Sequence, residues 1–249
     1  MAHIMITGAT GTIGVEVAKH LSDKHELTLV GQDFSNFPKD IEEQSHIITT
    51  DLTEPSNWTG VLDDIEYIIQ FAGQADQNAD FYDSLLDLNY KIPHNLFQAA
   101  LNAKKLKRII VASSIHAVDA YPANNQVKVT DPVRPKNLYG VSKVYLEALA
   151  AHHAYVNDIE SIAIRIADYK ENDNDITPDM NEMGMSTYFS KRDMNRLIDC
   201  CLEAELNEPF LLVNGISNNS FPRLSLEEAS VKLGYKPQDD AFEMTGVFN

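Results

Sequence analysis

Short apolar runs recur along the chain, and most are followed by a stretch whose apolar residues return at helical spacing. His3 to Ile6 predicts a first strand, and a helix over Thr12 to Leu21 follows, with Ile13, Val17 and Leu21 on one face. Leu27–Val30, His46–Thr49 and Tyr67–Phe71 predict the next three strands. A long helix then runs from about Phe81 to Ala103, with a kink expected at Pro93. Arg108–Ala112 predicts the fifth strand and Ser161–Ile166 the sixth, with a helix opening at Tyr139 between them. Residues 168–185 are polar and predict an irregular loop. Ser190–Glu205 predicts an amphipathic helix whose apolar face is Met194, Leu197, Ile198, Cys201 and Leu202. Phe210–Val213 predicts a late strand and Ser225–Leu233 a short helix.

Strands alternating with helices at this spacing predict an α/β fold, a doubly wound parallel sheet of the Rossmann type. No internal repeat or linker interrupts it. Residues 1–249 are expected to form a single domain, with 1–166 mainly a nucleotide-binding core and 167–249 mainly a small C-terminal substrate cap. A polar loop beyond the end of the sixth strand is where a substrate lid would sit.

Composition narrows the function. Hydrophobic residues make up 44% of the chain, enough for a substantial core. The net charge of −17 argues against nucleic-acid binding, since an acidic surface repels phosphate. The acidic residues are spread along the chain, which reads as solubility, with adaptation to a salty cytoplasm as the alternative. There is no run of eighteen apolar residues, so no membrane-spanning helix is expected. The N-terminal MAHIMITGATG turns straight into a glycine-rich loop and is not read as a signal peptide. Cys200 and Cys201 are adjacent and lack both disulfide-framework and metal-ligand spacing, so no metal is expected and a cytoplasmic location is.

Three groups of residues carry chemistry. First, Thr7-Gly-Ala-Thr-Gly-Thr-Ile-Gly14 lies between a strand and a helix, where Gly8, Gly11 and Gly14 let backbone approach a pyrophosphate and the helix N-terminus faces it. Asp33 lies about twenty residues on, where a carboxylate accepts hydrogen bonds from an adenosine ribose and repels a 2′-phosphate. NAD is therefore expected over NADP; the plainer role for Asp33 is capping a turn. Asp51, followed by Leu52, would reach the adenine amino group or cap a turn of its own. Ala72 and Gly73, after Phe71, would admit the cofactor closely. Asn89 is either a surface residue or a buried brace.

Second, Ser113 and Ser114 end the fifth strand, and Tyr139 and Lys143 lie one turn apart on the helix that follows. Lysine and an oxidised nicotinamide would favour a tyrosine phenolate able to take a proton from a substrate hydroxyl as hydride leaves the same carbon. Ser114 would hydrogen-bond the substrate oxygen, Lys143 would also hold the nicotinamide ribose, and Ser113 is read as a packing residue. Third, His116 is a substrate hydrogen-bond donor or a loop histidine bonded to backbone. His152 and His153 suit a helix-end or interface role.

TGATGTIG, Asp33, Asp51-Leu52, Phe-Ala-Gly73, Asn89, Ser113-Ser114 and YGVSK together resemble the extended short-chain dehydrogenases of the NAD-dependent epimerase/dehydratase group. The resemblance covers essentially the whole chain. Within that group the chain is most similar to the uronate dehydrogenases, through ASSIH at 112–116, YGVSK at 139–143, RIAD at 165–168 and STYFS at 186–190. It implies a catalytic trio of Ser114, Tyr139 and Lys143, an NAD site that includes Gly8, Thr10, Gly11, Thr12, Ile13, Gly14 and Asp33, and substrate contact at His116. It also implies a homodimer through the helices around 81–103 and 138–156. Three positions depart from it: Ile115 replaces an asparagine, Asp168 replaces the serine of RIGS, and Met183 replaces the arginine that grips a uronate carboxylate. The expected activity is NAD-dependent oxidation of a small sugar or sugar-acid-like molecule. A nucleotide-sugar epimerase or dehydratase and a non-catalytic NAD-sensing regulator are the alternatives. The first is disfavoured by a cap short in arginine, the second by the presence of both Tyr139 and Lys143.

Overall fold

The computed structural model describes residues 1–172 and 175–247. Seven strands form one wholly parallel sheet: β1 His3–Thr7, β2 Glu26–Gly31, β3 His46–Thr49, β4 Tyr67–Gln70, β5 Arg108–Ser114, β6 Ser161–Ile166 and, later in the chain, β9 Phe210–Gly215. Their spatial order is β3-β2-β1-β4-β5-β6-β9. The chain winds outward from β1 in one direction, returns to its other side with β4, and winds outward again. The crevice at that reversal, at the carboxyl ends of β1 and β4, is where sheets of this kind bind ligands.

Both faces of the sheet are covered, as parallel strands require. Ile4, Ile6, Leu29 and Ile164 face one hydrophobic layer, shared with α1 (Thr12–Ser22), α6 (Lys191–Glu203) and α7 (Glu227–Leu233). Met5, Ile68, Val111 and Ala163 face the other, shared with α3 (Ile92–Ala100) and α4 (Leu138–Asn157). The five apolar residues expected on one face of α6 are all buried. Two short helices, α2 (Lys39–Glu43) and α8 (Ala241–Met244), were not apparent in the sequence pattern, because each carries too few apolar residues to show a period.

Two expectations need correction. The helix expected over 81–103 is not one kinked α-helix. Phe81–Lys91 winds as a π-helix, whose i→i+5 bonds include Leu85 N–H to Asp80 C=O, and α3 begins only at Ile92. Pro93 has no N–H for the Asn89 carbonyl, and it falls in the first turn of α3, where a missing donor is tolerated. The loop expected over 168–185 is also partly ordered. β7 (Asp168–Lys170) pairs in parallel with β8 (Tyr188–Ser190), and α5 (Glu182–Thr187) leads into β8. Asp173 and Asn174 lie outside the described residues. The segment read as a cap also supplies β9 to the main sheet, paired with β6 over the six residues of each strand.

Candidate active site

One cleft of about 770 Å³ opens along the carboxyl ends of β1, β4, β5 and β6. The glycine loop after β1 forms one end. Gly8 has φ +68°, and a Cβ there would strike the Ala72 backbone; a Cβ at Gly14 would strike the Gly8 carbonyl. The loop therefore folds flat against β4 and its own helix only as glycine. No side chain caps the N-terminus of α1, and its first turn holds no acid, whereas α4, α5 and α6 are capped by Asn137, Asn181 and Ser190. An uncapped helix end behind a bare backbone loop fits a cofactor pyrophosphate. Gly11, Thr12, Ile13, Phe71 and Gly73 line the same end.

The expected cofactor residues outside the cleft wall divide by role. Thr10 packs against Gly31 at the end of β2. Asp33 is exposed, and its carboxylate accepts from the Ser35 N–H (2.8 Å) and Oγ–H (3.0 Å). These bonds hold the carboxyl below its usual range, so it is ionised at neutral pH. Asp51 accepts from the Thr53 N–H and hydroxyl in the same manner. Turn capping is thus what both aspartates do here, and Asp33 keeps lone pairs for a ligand. Leu52 is buried, its carbonyl accepting from Trp58 Nε1 and Asn95 Nδ2. Ala72 is the wall against which Gly8 lies.

The trio occupies the middle of the cleft. β5 delivers Ser114, whose hydroxyl also accepts from the His116 N–H (3.2 Å) and starts the short 3₁₀ turn Ile115–Ala117. Gly140 lies so close to the His116 carbonyl that a Cβ would overlap it, which brings the first turn of α4 down on that 3₁₀ turn. Tyr139 is thereby carried into the same cleft as Ser114. Burial pushes the Tyr139 phenol up, and the Ser114 hydroxyl acts against that shift. Lys143, one turn on, is buried; its Nζ donates to the Ala112 carbonyl at 2.8 Å and lies 5.4 Å from the Tyr139 ring centre. Burial pushes its ammonium down to about 8. Without the cofactor, desolvation dominates both groups, raising the phenol and lowering the ammonium.

The substrate end is walled by Ile115, His116, Asp119, Asp168, Tyr169, Met183 and Thr187. The partners of the His116 ring are side chains and not the backbone expected of a plain loop histidine. Its Nδ1 lies 3.4 Å from Asn137 Nδ2 and 3.6 Å from Asp119 Oδ2, while its ring packs edge-on to Tyr139 and faces the cleft. Asp168 pairs with Lys170 at 3.0 Å.

Asn89 is the buried brace. Its Oδ1 accepts from the Gln74 N–H (2.7 Å), and its Nδ2 donates to the Gln74 carbonyl and to Ser142 Oγ. Ser142 in turn donates to the Tyr139 carbonyl. A second brace was not foreseen. Glu147 continues the face of Tyr139 and Lys143 by one more turn; it accepts from Ser113 Oγ (2.6 Å) and takes a two-point ion pair from the buried Arg165 on β6 (2.9 and 2.8 Å). The four-residue spacing from Lys143 to Glu147 was the available signal. Asp119, three residues past His116, was likewise missed.

The profile of the NAD dependent epimerase/dehydratase family matches residues 4–169. The chain is 29% identical to an NAD-dependent glucose-6-phosphate dehydrogenase of Haloferax volcanii, over 97% of this chain and 95% of that protein. It is 27% identical to an L-arabinose 1-dehydrogenase (NAD(P)(+)) of the same organism, over 97% and 98%. Among solved structures, a mutant uronate dehydrogenase from Agrobacterium tumefaciens complexed with NAD superposes with a TM-score of 0.83 at 25% identity, covering 98% of this chain and 88% of that one. With two thirds of its length matched, the chain belongs to the NAD-dependent epimerase/dehydratase family.

Proposed function

We propose that the protein is an NAD-dependent oxidoreductase that moves a hydride between the hydroxyl-bearing carbon of a small sugar and the cofactor, with Tyr139 as the proton carrier. The observation that carries this is the meeting of Ser114, Tyr139 and Lys143 in one cleft with the glycine loop and the uncapped end of α1. Those groups would hold the cofactor's pyrophosphate, and Asp33, ionised and exposed beyond β2, would accept from its adenosine ribose. NAD, when bound, supplies the hydride acceptor and a positive ring beside the phenol.

Tyr139 then takes the hydroxyl proton as the carbonyl forms. Ser114 donates to the substrate oxygen and keeps it aimed at Tyr139. Lys143 would hold the nicotinamide ribose, and its charge near the phenol ring would favour the phenolate. Residues 167–249 cover the substrate end through β7, α5 and β8. Removing the phenolic oxygen in Tyr139→Phe is expected to lower kcat roughly 10²–10⁴-fold while NAD still binds; unchanged turnover would remove Tyr139 from the role.

The two free thiols, Cys200 and Cys201, suit a reducing cytoplasm. We also propose a homodimer through α4. Leu138, Val141, Tyr145, Ala148, His152 and Tyr155 fall at three- and four-residue intervals along it, all wholly or partly exposed. A continuous apolar stripe of that kind suits a second copy of the same helix.

A further inference from the structure

Charge at the substrate end of the cleft separates the sugars that could be held there. Among the described residues lining the cleft, Lys143 is the single lysine or arginine, and its Nζ is held by the Ala112 carbonyl behind Tyr139. Two carboxylates, Asp119 and Asp168, face the same end. Three cations beyond the wall are already engaged among the described residues. Lys170 lies 3.0 Å from Asp168. Arg223, whose charge acts on Asp119, is 4% exposed and donates to the carbonyls of Tyr121, Pro122 and Asn125. Arg134 stacks on the Tyr121 ring at 4.2 Å.

We infer that the substrate is an uncharged monosaccharide, and that Asp168 and Asp119 select against uronates and sugar phosphates. The inference rests on the dehydrogenase reading above. Carboxylates accept hydrogen bonds and cannot donate them, and the hydroxyls of an uncharged sugar are donors. Ile115 and Met183 offer apolar surface to the C–H edges of a ring. An added carboxylate or phosphate meets two carboxylates at this end, and the cation beside them, Lys170, is already paired with Asp168. Discrimination thus comes from repulsion as well as fit.

The test measures kcat/KM with NAD for matched sets: glucose, glucuronate and glucose 6-phosphate, then galactose and galacturonate. The uncharged sugar of each set is expected to exceed its charged partners by roughly 100-fold, the effect of one unfavourable charge contact at an intermediate dielectric. In Asp168→Asn, which removes a charge and frees Lys170, the ratio of uronate to aldose kcat/KM is expected to rise roughly tenfold or more. Equal or better turnover of an anionic sugar by the native protein would overturn the inference. A ratio that Asp168→Asn does not move would overturn the assignment to Asp168. Turnover of none of these sugars, charged or uncharged, would defeat the dehydrogenase reading itself and the substrate class with it.

Discussion

Lys143 illustrates how a functional residue in this cleft opposes the stability of its own fold. Its folded value of about 8 lies below the ordinary lysine range, so between the two the unfolded chain binds the proton more tightly. Stability therefore rises with pH through that window, and the cost of burying the ammonium is largest below about pH 8. That cost is on the order of 3 kcal/mol, partly offset by the bond to the Ala112 carbonyl. Lys143→Met is expected to melt several degrees higher than the native protein at about pH 7, with the gap closing by about pH 10, and to be inactive. Equal melting temperatures across that range would show that the ammonium is not desolvated. Burial raises the Tyr139 phenol without cofactor, and bound nicotinamide would act against that; kcat/KM for sugar oxidation is expected to rise with pH as the phenolate forms, and a profile that falls with rising pH would count against Tyr139 as the base. That Ser114, Tyr139 and Lys143 would meet in one cleft was legible from spacing and position. The direction of the phenol's shift was not, because burial depends on how Gly140 seats α4 against the His116 carbonyl.

Elements were legible where a period was long enough to recognise, and all seven strands of the main sheet were placed within a few residues of their bounds. The π-helix over 81–91 was not, since its apolar residues fall at spacings an α-helix also produces. Its consequence is Asn89, whose carboxamide ties the loop after β4 to α4 through Gln74 and Ser142. Asn89→Ala would leave these groups without their buried partner and is expected to cost about 2–3 kcal/mol and to weaken NAD binding; a thermal melt with an NAD titration reads both. The Glu147–Arg165 pair acts at the same level, fastening the lower half of the Tyr139 face to β5 and β6. Glu147→Gln leaves a buried guanidinium partly unpaired and is expected to destabilise by about 3–5 kcal/mol; a loss under 1 kcal/mol in denaturant unfolding would show the clamp to be incidental.

For the whole molecule, alternating strands and helices announced a doubly wound parallel sheet and the glycine loop after β1 marked a cofactor end, while the order β3-β2-β1-β4-β5-β6-β9 is seen only in the fold. What the pattern could not show is how residues 167–249 divide, because a four-residue apolar run at 210–213 says nothing of which strand it joins. Assembly also belongs to this scale. Ala148→Glu, placed in the middle of the exposed α4 stripe, is expected to give a monomer by light scattering while the native protein runs as a dimer. A native monomer would leave the stripe without its second copy.

Parallel assays of native protein and Tyr139→Phe show whether Tyr139 exchanges a sugar proton while NAD takes the hydride. NADH absorbance is followed with uncharged sugars, and NAD affinity is measured by calorimetry on the same samples. The native protein is expected to form NADH, the variant to lose roughly 10²–10⁴-fold in rate, and their NAD affinities to agree within about threefold, since the phenolic oxygen matters to proton transfer far more than to binding. NADH formed at equal rates by both proteins, or by neither, would contradict this role of Tyr139.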